Sequence, residues 1–111
     1  MEDIRPIIYQ DVDPERYTIS SDGLNVYDNL RKKEVKINKD HNQGHSYMFC
    51  QLRTKENKRI QPKIHQLIYT TFIDSNYKAE DIEIHHIDGN PHNNHIDNLT
   101  AITKKIHRAI S

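Results

Sequence analysis

Ile82-Glu83-Ile84-His85-His86-Ile87-Asp88-Gly89-Asn90-Pro91-His92-Asn93-Asn94-His95-Ile96-Asp97-Asn98-Leu99-Thr100-Ala101-Ile102 is the stretch whose reading decides the fold. Its isoleucines alternate with polar residues up to the histidine pair, the period of a half-buried strand. Asp88-Gly89 signals a turn, Asn90 to Asn98 is a polar loop, and Leu99 to Ile102 reads as a second strand. Thr103 is a good N-cap for a short helix carrying Lys104, His107 and Ile110. The order is therefore strand, loop, strand, helix, with histidines on the first strand and on the helix. An imidazole with an unperturbed pKa of about 6.5 can take a proton near neutrality or ligate a divalent metal. Successive strand side chains face opposite ways, so His85 and His86 diverge, one suited to a metal and the other to a water.

Just upstream, Ile64, Leu67, Ile68 and Phe72 recur at helical spacing, and Pro62 sits where a first helical turn tolerates it. The apolar stripe predicts a helix docked on a sheet. His65 lies in that helix, where a histidine is ordinarily a packing or surface residue. Further towards the N-terminus, Tyr17–Ser20 and Leu24–Tyr27 flank Ser21-Asp22-Gly23, a hairpin-type turn. Glu34–Ile37, Tyr47–Arg53 and Arg59–Gln61 alternate as strands of a small antiparallel sheet. The expected fold class is α+β, a small antiparallel sheet with a packed helix followed by a C-terminal strand–strand–helix motif. The 111 residues suit a single domain, with a β-rich module over 1–61 and the helix plus motif over 62–111.

Charge is balanced overall but unevenly placed. Residues 29–63 hold ten basic and three acidic residues, whereas residues 1–28 hold two basic and seven acidic ones. A basic middle and a basic end around an acidic site segment form a plausible phosphate-binding footprint, set against the plain reading of a solvated surface. Lys36, Lys58, Arg59, Lys63, Lys104, Lys105 and Arg108 are its candidate contacts. The lone Cys50 excludes an internal disulfide and a multi-cysteine zinc site. No run approaches the roughly 20 apolar residues of a membrane span, and the N-terminus lacks the pattern of a signal peptide. A reducing, cytoplasmic setting is the expectation.

Residues 82–107 resemble the HNH nuclease motif, a ββα-metal fold, in the version found in phage-type homing endonucleases. Ile64–Ile73 is similar to the helix preceding the motif in that subgroup, and Tyr17–Gly23 resembles a short N-terminal module those enzymes carry. The resemblance implies that His86 is the general base, that His85 and His107 hold one divalent metal, and that Asn98 bonds across the loop to hold the base in place. It implies a DNA endonuclease hydrolysing phosphodiester bonds. A sparsely ligated site suits Mg2+, with Mn2+, Ni2+ and Zn2+ as alternatives. His92 and His95 fall between the motif positions and read as surface residues or phosphate contacts, and Asp88 as a turn residue.

Larger relatives continue into a helical DNA-reading module, so this short form is expected to have weak intrinsic specificity, and a monomer with one site is expected to nick rather than cut both strands. Specificity would then come from the basic sheet region, a homodimer or a partner protein. The competing class is a non-catalytic DNA-binding or zinc-stabilised regulatory module. The absence of nearby cysteine thiolates weighs against structural zinc.

Overall fold

Short alternating segments give short strands here, and a computed structural model describes residues 2–39, 47–76 and 82–103. Strands β1 (Ile4–Pro6), β2 (Tyr17–Ser20), β3 (Val26–Asp28) and β4 (Lys33–Val35) form one antiparallel sheet in chain order. Tyr17 stands opposite Asp28 and Ile19 opposite Val26, and all four are buried on one face. Gly23 turns the hairpin between β2 and β3 at φ +73°, a left-handed conformation that costs glycine little.

Asp28 is the exception on that apolar face, and its oxygens are fully engaged. Arg16 donates to it from Nε at 3.3 Å and from a terminal nitrogen at 3.1 Å. The backbone N–H groups of Leu30 and Arg31 add bonds of 3.0 and 3.2 Å. Burial alone would raise the Asp28 carboxyl, but the Arg16 guanidinium and these N–H donors outweigh it and hold the group below the usual carboxylate range.

Strand β5 (Ile37–Lys39) pairs with β6 (Met48–Cys50), and β7 (Leu52–Arg53) pairs with β8 (Arg59–Ile60), each as a separate antiparallel ladder. The expected continuous strands Glu34–Ile37 and Tyr47–Arg53 are thus each divided, at Lys36 and at Gln51. The reason is visible in the burial. Met48, Cys50 and Leu52 are all buried, so the alternation continues across the break while the hydrogen-bonding partner changes. Alternation specifies a face, not a neighbour. Burial also pushes the Cys50 thiol up to about 12.

Helix α1 (Ile64–Ile68) starts after Lys63, whose N–H is taken by the Gln66 side chain at 3.2 Å. Pro62 lies one residue outside the expected first turn, and its carbonyl accepts from Cys50 N at 3.2 Å. Beyond Ile68 the backbone widens into a π-helical turn over Tyr69–Ile73, closed by Asp74 N to Tyr69 O at 2.8 Å. Ile64, Leu67 and Ile68 join Ile7, Tyr17, Ile19, Val26, Cys50, Leu52 and Leu99 in one buried cluster. The β-rich segment and the C-terminal segment therefore share a core. The predicted C-terminal helix falls on residues 104–111, outside the described residues; strand β10 (Leu99–Thr103) runs up to them. Among the described residues no helix is long and apolar enough to cross a membrane.

Replacing Asp28 by Asn strands the half-buried Arg16 charge and should cost on the order of 2–4 kcal/mol. Because the folded carboxyl lies below its unfolded value, its contribution is complete above that value and is lost as pH falls through the lower, folded one. Urea titrations at neutral and acid pH should show the gap between wild type and Asp28→Asn narrowing in acid.

Candidate active site

Strand β9 (Ile82–His86) pairs antiparallel with β10, with His86 opposite Leu99 and His85 opposite Thr100. Leu99 is buried and Thr100 exposed, so the register turns His86 towards the protein and His85 away from it. The predicted divergence of the pair is present. On the outer face the His85 Nε2 lies 3.9 Å from a Glu83 carboxylate oxygen, two residues back along the same strand.

The loop between the strands is built around Asp88. Its carboxylate accepts from Asn90 N at 2.8 Å, from Asn93 Nδ2 at 2.9 Å and from Asn98 Nδ2 at 2.9 Å. The Asn93 bond, then those from Asn90 and Asn98, hold this carboxyl below its ordinary value. Asn98 also donates to Asn93 O at 2.8 Å and accepts from Asp88 N at 3.1 Å, closing the loop across its base. Gly89 turns the chain at φ +75°. Asp88 thus occupies the turn role expected of it.

The side chain bonded to His86 is Asn94, not Asn98. Asn94 Oδ1 lies 2.8 Å from His86 Nε2. With the amide oxygen facing the ring, the contact matches the neutral tautomer in which Nε2–H donates and Nδ1 keeps its lone pair. Asn94 is only 2% exposed, so water does not compete for this bond, and its Nδ2 is buried without a hydrogen-bond partner among the described residues. Its one sequence signal is its place in the Asn93-Asn94 doublet of a polar loop.

A second neighbour is His65 of α1, whose ring meets that of His86 edge-to-face at 5.2 Å between centroids and 85° between planes. His65 is buried, and its Nδ1 has no hydrogen-bond partner among the described residues. Desolvation, with smaller contributions from His86 and Lys63, pushes His65 down to about 3, so it stays neutral. The packing role expected of a helix histidine is what it has, but the group it packs on is the proposed base. Behind it, Tyr47 sits 5.5 Å away and carries the Lys63 ammonium 4.3 Å above its ring.

The sequence pattern of the HNH endonuclease family matches residues 63–109. Over those residues the chain is similar to an HNH endonuclease domain. Among solved structures it is similar to the HNH homing endonuclease I-HmuI, a protein described as binding and cleaving DNA, with a TM-score of 0.74 and 25% sequence identity. The similarity covers 97% of this chain and 56% of that one, so the chain spans just over half the length of I-HmuI. No curated protein matches the sequence.

Within the matched segment, His85, His86 and Asn98 lie on one β-hairpin and its loop, while His107 lies outside the described residues. Among the described residues no three histidine, cysteine or carboxylate side chains converge as a metal cluster. His85 and Glu83 do place a nitrogen and an oxygen donor on one strand face, with the His85 Nε2 itself enclosed, a donor set compatible with a hard or borderline divalent ion. His95 is engaged elsewhere, with Glu2 at 3.2 Å and Asp97 N at 3.1 Å.

The basic residues separate into distinct places. Lys36 and Arg59 line a groove over β4, β5, β7 and β8 together with Arg31, Lys33 and Arg53, opposed by Glu34. Lys58 is on the β7–β8 turn, 3.5 Å from Glu56, and Lys63 is beside the His65–His86 pair through Tyr47. Lys104, Lys105 and Arg108 fall outside the described residues.

The depressed His65 has a measurable consequence. The unfolded chain binds a proton at this imidazole below about pH 6.5 while the folded one does not, so stability should fall as pH drops from there towards 3. The slope from this group is at most about 1.4 kcal/mol per pH unit. Denaturant unfolding across that range should show a flatter acid limb for His65→Phe than for wild type.

Proposed function

We propose that this chain is a metal-dependent DNA endonuclease that hydrolyses phosphodiester bonds and, acting as a monomer with one site, nicks one strand. The observation that carries this reading is the 2.8 Å contact between His86 Nε2 and the buried Asn94 amide oxygen. With Nε2–H donating to Asn94, the Nδ1 lone pair is the proton acceptor for a water attacking phosphorus. Asn98 and Asp88 keep the loop bearing Asn94 closed, so Asn98 acts on the base through the loop rather than by touching it.

His85 on the opposite face, with His107, is the proposed ligand pair for the divalent ion. Glu83 is placed to orient His85 or to share the ion's shell. A bound ion supplies charge stabilisation at the scissile phosphate and the leaving oxygen. Mg2+ is the first choice because it keeps waters and binds together with phosphate oxygens, and Mn2+, Ni2+ and Zn2+ suit an imidazole ligand. Edge-to-face packing with neutral His65 lets the base become an imidazolium without a second positive charge beside it.

DNA is the proposed partner, held electrostatically by the groove containing Lys36 and Arg59, with Lys63 close to the site and Lys104, Lys105 and Arg108 as further contacts. The family match over residues 63–109 and the likeness to I-HmuI support this choice of substrate.

Nicking of supercoiled plasmid with Mg2+ or Mn2+ tests the reading. His86→Ala should lower the rate by about 10²–10⁴-fold, the usual contribution of a general base, with DNA affinity unchanged. A chelator should stop wild-type cleavage. Retention of full activity by His86→Ala would remove the base assignment, and tight binding without cleavage under any divalent ion would favour a binding module.

Binding isotherms at several salt concentrations test the groove. If Lys36 and Arg59 each neutralise a phosphate, replacing either by Ala should reduce the slope of log K against log salt by about 0.9.

A further inference from the structure

Three consecutive residues of the HNH loop are docked on the β-rich segment. Ile96 N donates to Ser21 O at 2.9 Å. His95 accepts from Asp97 N at its Nδ1, so its Nε2 carries the proton and donates to Glu2 Oε1 at 3.2 Å. Glu2 in turn accepts from the Ser21 hydroxyl, and Ser21 also bonds the Asp3 backbone.

Asn94 has the closest approach of all. A Cβ placed on Gly23 would lie 2.9 Å from Asn94 Cβ, 3.3 Å from Asn94 O and 3.1 Å from Ile64 Cγ2. Gly89 makes the contrast. It has a similar positive φ, but a Cβ there would meet nothing within 4 Å. Gly89 is needed for its backbone angle alone, Gly23 for its angle and for the space.

The residues that crowd Gly23 are the ones that lead to His86. Asn94 holds the base's Nε2 directly, and Ile64 precedes His65, whose ring packs on the base. From this juxtaposition we infer that the Ser21–Gly23 turn is a positioning element for His86, acting through Asn94 and the start of α1. The inference rests on His86 being the base. The turn acts through Asn94 rather than on the reacting atoms: it sets the seat of the amide that holds the base's ring. Displacing a reacting group by about 1 Å can cost on the order of 10²-fold in rate, so a bulge behind Asn94 is amplified at the site.

The test compares full-length variants by single-turnover plasmid nicking with Mg2+ or Mn2+ at saturating protein, by DNA binding, and by the ring ¹⁵N signals of His86 above the imidazole titration range. Wild type should show the Nε2–H tautomer. Gly23→Ala should lower the single-turnover rate by roughly 10- to 100-fold with DNA affinity within about twofold, and move the His86 signals towards mixed tautomers. Val26→Ala, a core truncation on β3, should lower the melting temperature while keeping the wild-type rate and ring signals.

Should Gly23→Ala not fold, His95→Ala removes the Glu2 tie without adding bulk. It should give a smaller loss, about threefold on the same scale, in both readouts. Unchanged rate and tautomer in the folded turn variant, or Val26→Ala reproducing both effects, would overturn the inference. His86→Ala separates the two levels. If that variant still nicks, the base assignment fails; if it is inactive while the turn variants behave as wild type, only the role of the turn fails.

Discussion

A hydrogen bond between a half-buried imidazole and a fully buried amide is the constraint on which the rest of this site depends. His86 has two ring nitrogens of similar basicity, and only one tautomer leaves the outward lone pair that a base requires. Choosing between them takes an acceptor that cannot rotate away or be replaced by water. Asn94 meets that need because it is enclosed by the turn at Gly23 and by Ile64, with its oxygen 2.8 Å from Nε2. The Asp88–Asn98 bonds close the loop, the hairpin register separates the duties of the two histidines, and the shared core holds the β-rich segment against the loop. Each serves that one bond.

Much of this was legible in the sequence, and the limits have physical causes. The β9–loop–β10 hairpin follows from alternation and from Asp88-Gly89, and the apolar stripe of α1 from helical periodicity. Those signals are local. The division of Tyr47–Arg53 into β6 and β7 was not legible, because Met48, Cys50 and Leu52 keep one buried face whichever strand they pair with. The π-helical widening after Ile68 leaves no mark that periodicity detects. At the site, His85 and His86 stand out as ionisable neighbours, whereas Asn94 is an uncharged residue among several asparagines. Its distinction is the company it keeps in space, with residues about 70 positions earlier in the chain. His65 is similar: a helix histidine on its own suggests packing, and only the fold reveals what it packs against.

The electrostatics divide between two tasks. Beside the base, burial keeps His65 neutral, and the nearby Lys63 ammonium is set over the Tyr47 ring. The charge density is placed in the groove that holds Lys36 and Arg59, where Arg31, Lys33 and Arg53 are also gathered. Two residues of that region are already neutralised within the fold, as Arg16 is committed to Asp28 on the inner face of the sheet. A balanced net charge therefore conceals a surface that is strongly polar in the electrical sense.

The burial of Cys50 has a practical side. A thiol held near 12 inside the core forms almost no thiolate at neutral pH, so it is close to inert towards maleimides, disulfide reagents and mild oxidants. The protein thus behaves as a cysteine-free scaffold without any change to its interior. A single cysteine introduced on the exposed rim of the groove would be the only reactive thiol among the described residues. It would accept a fluorophore or a cross-linker at a chosen distance from the histidine pair, with the native core left intact.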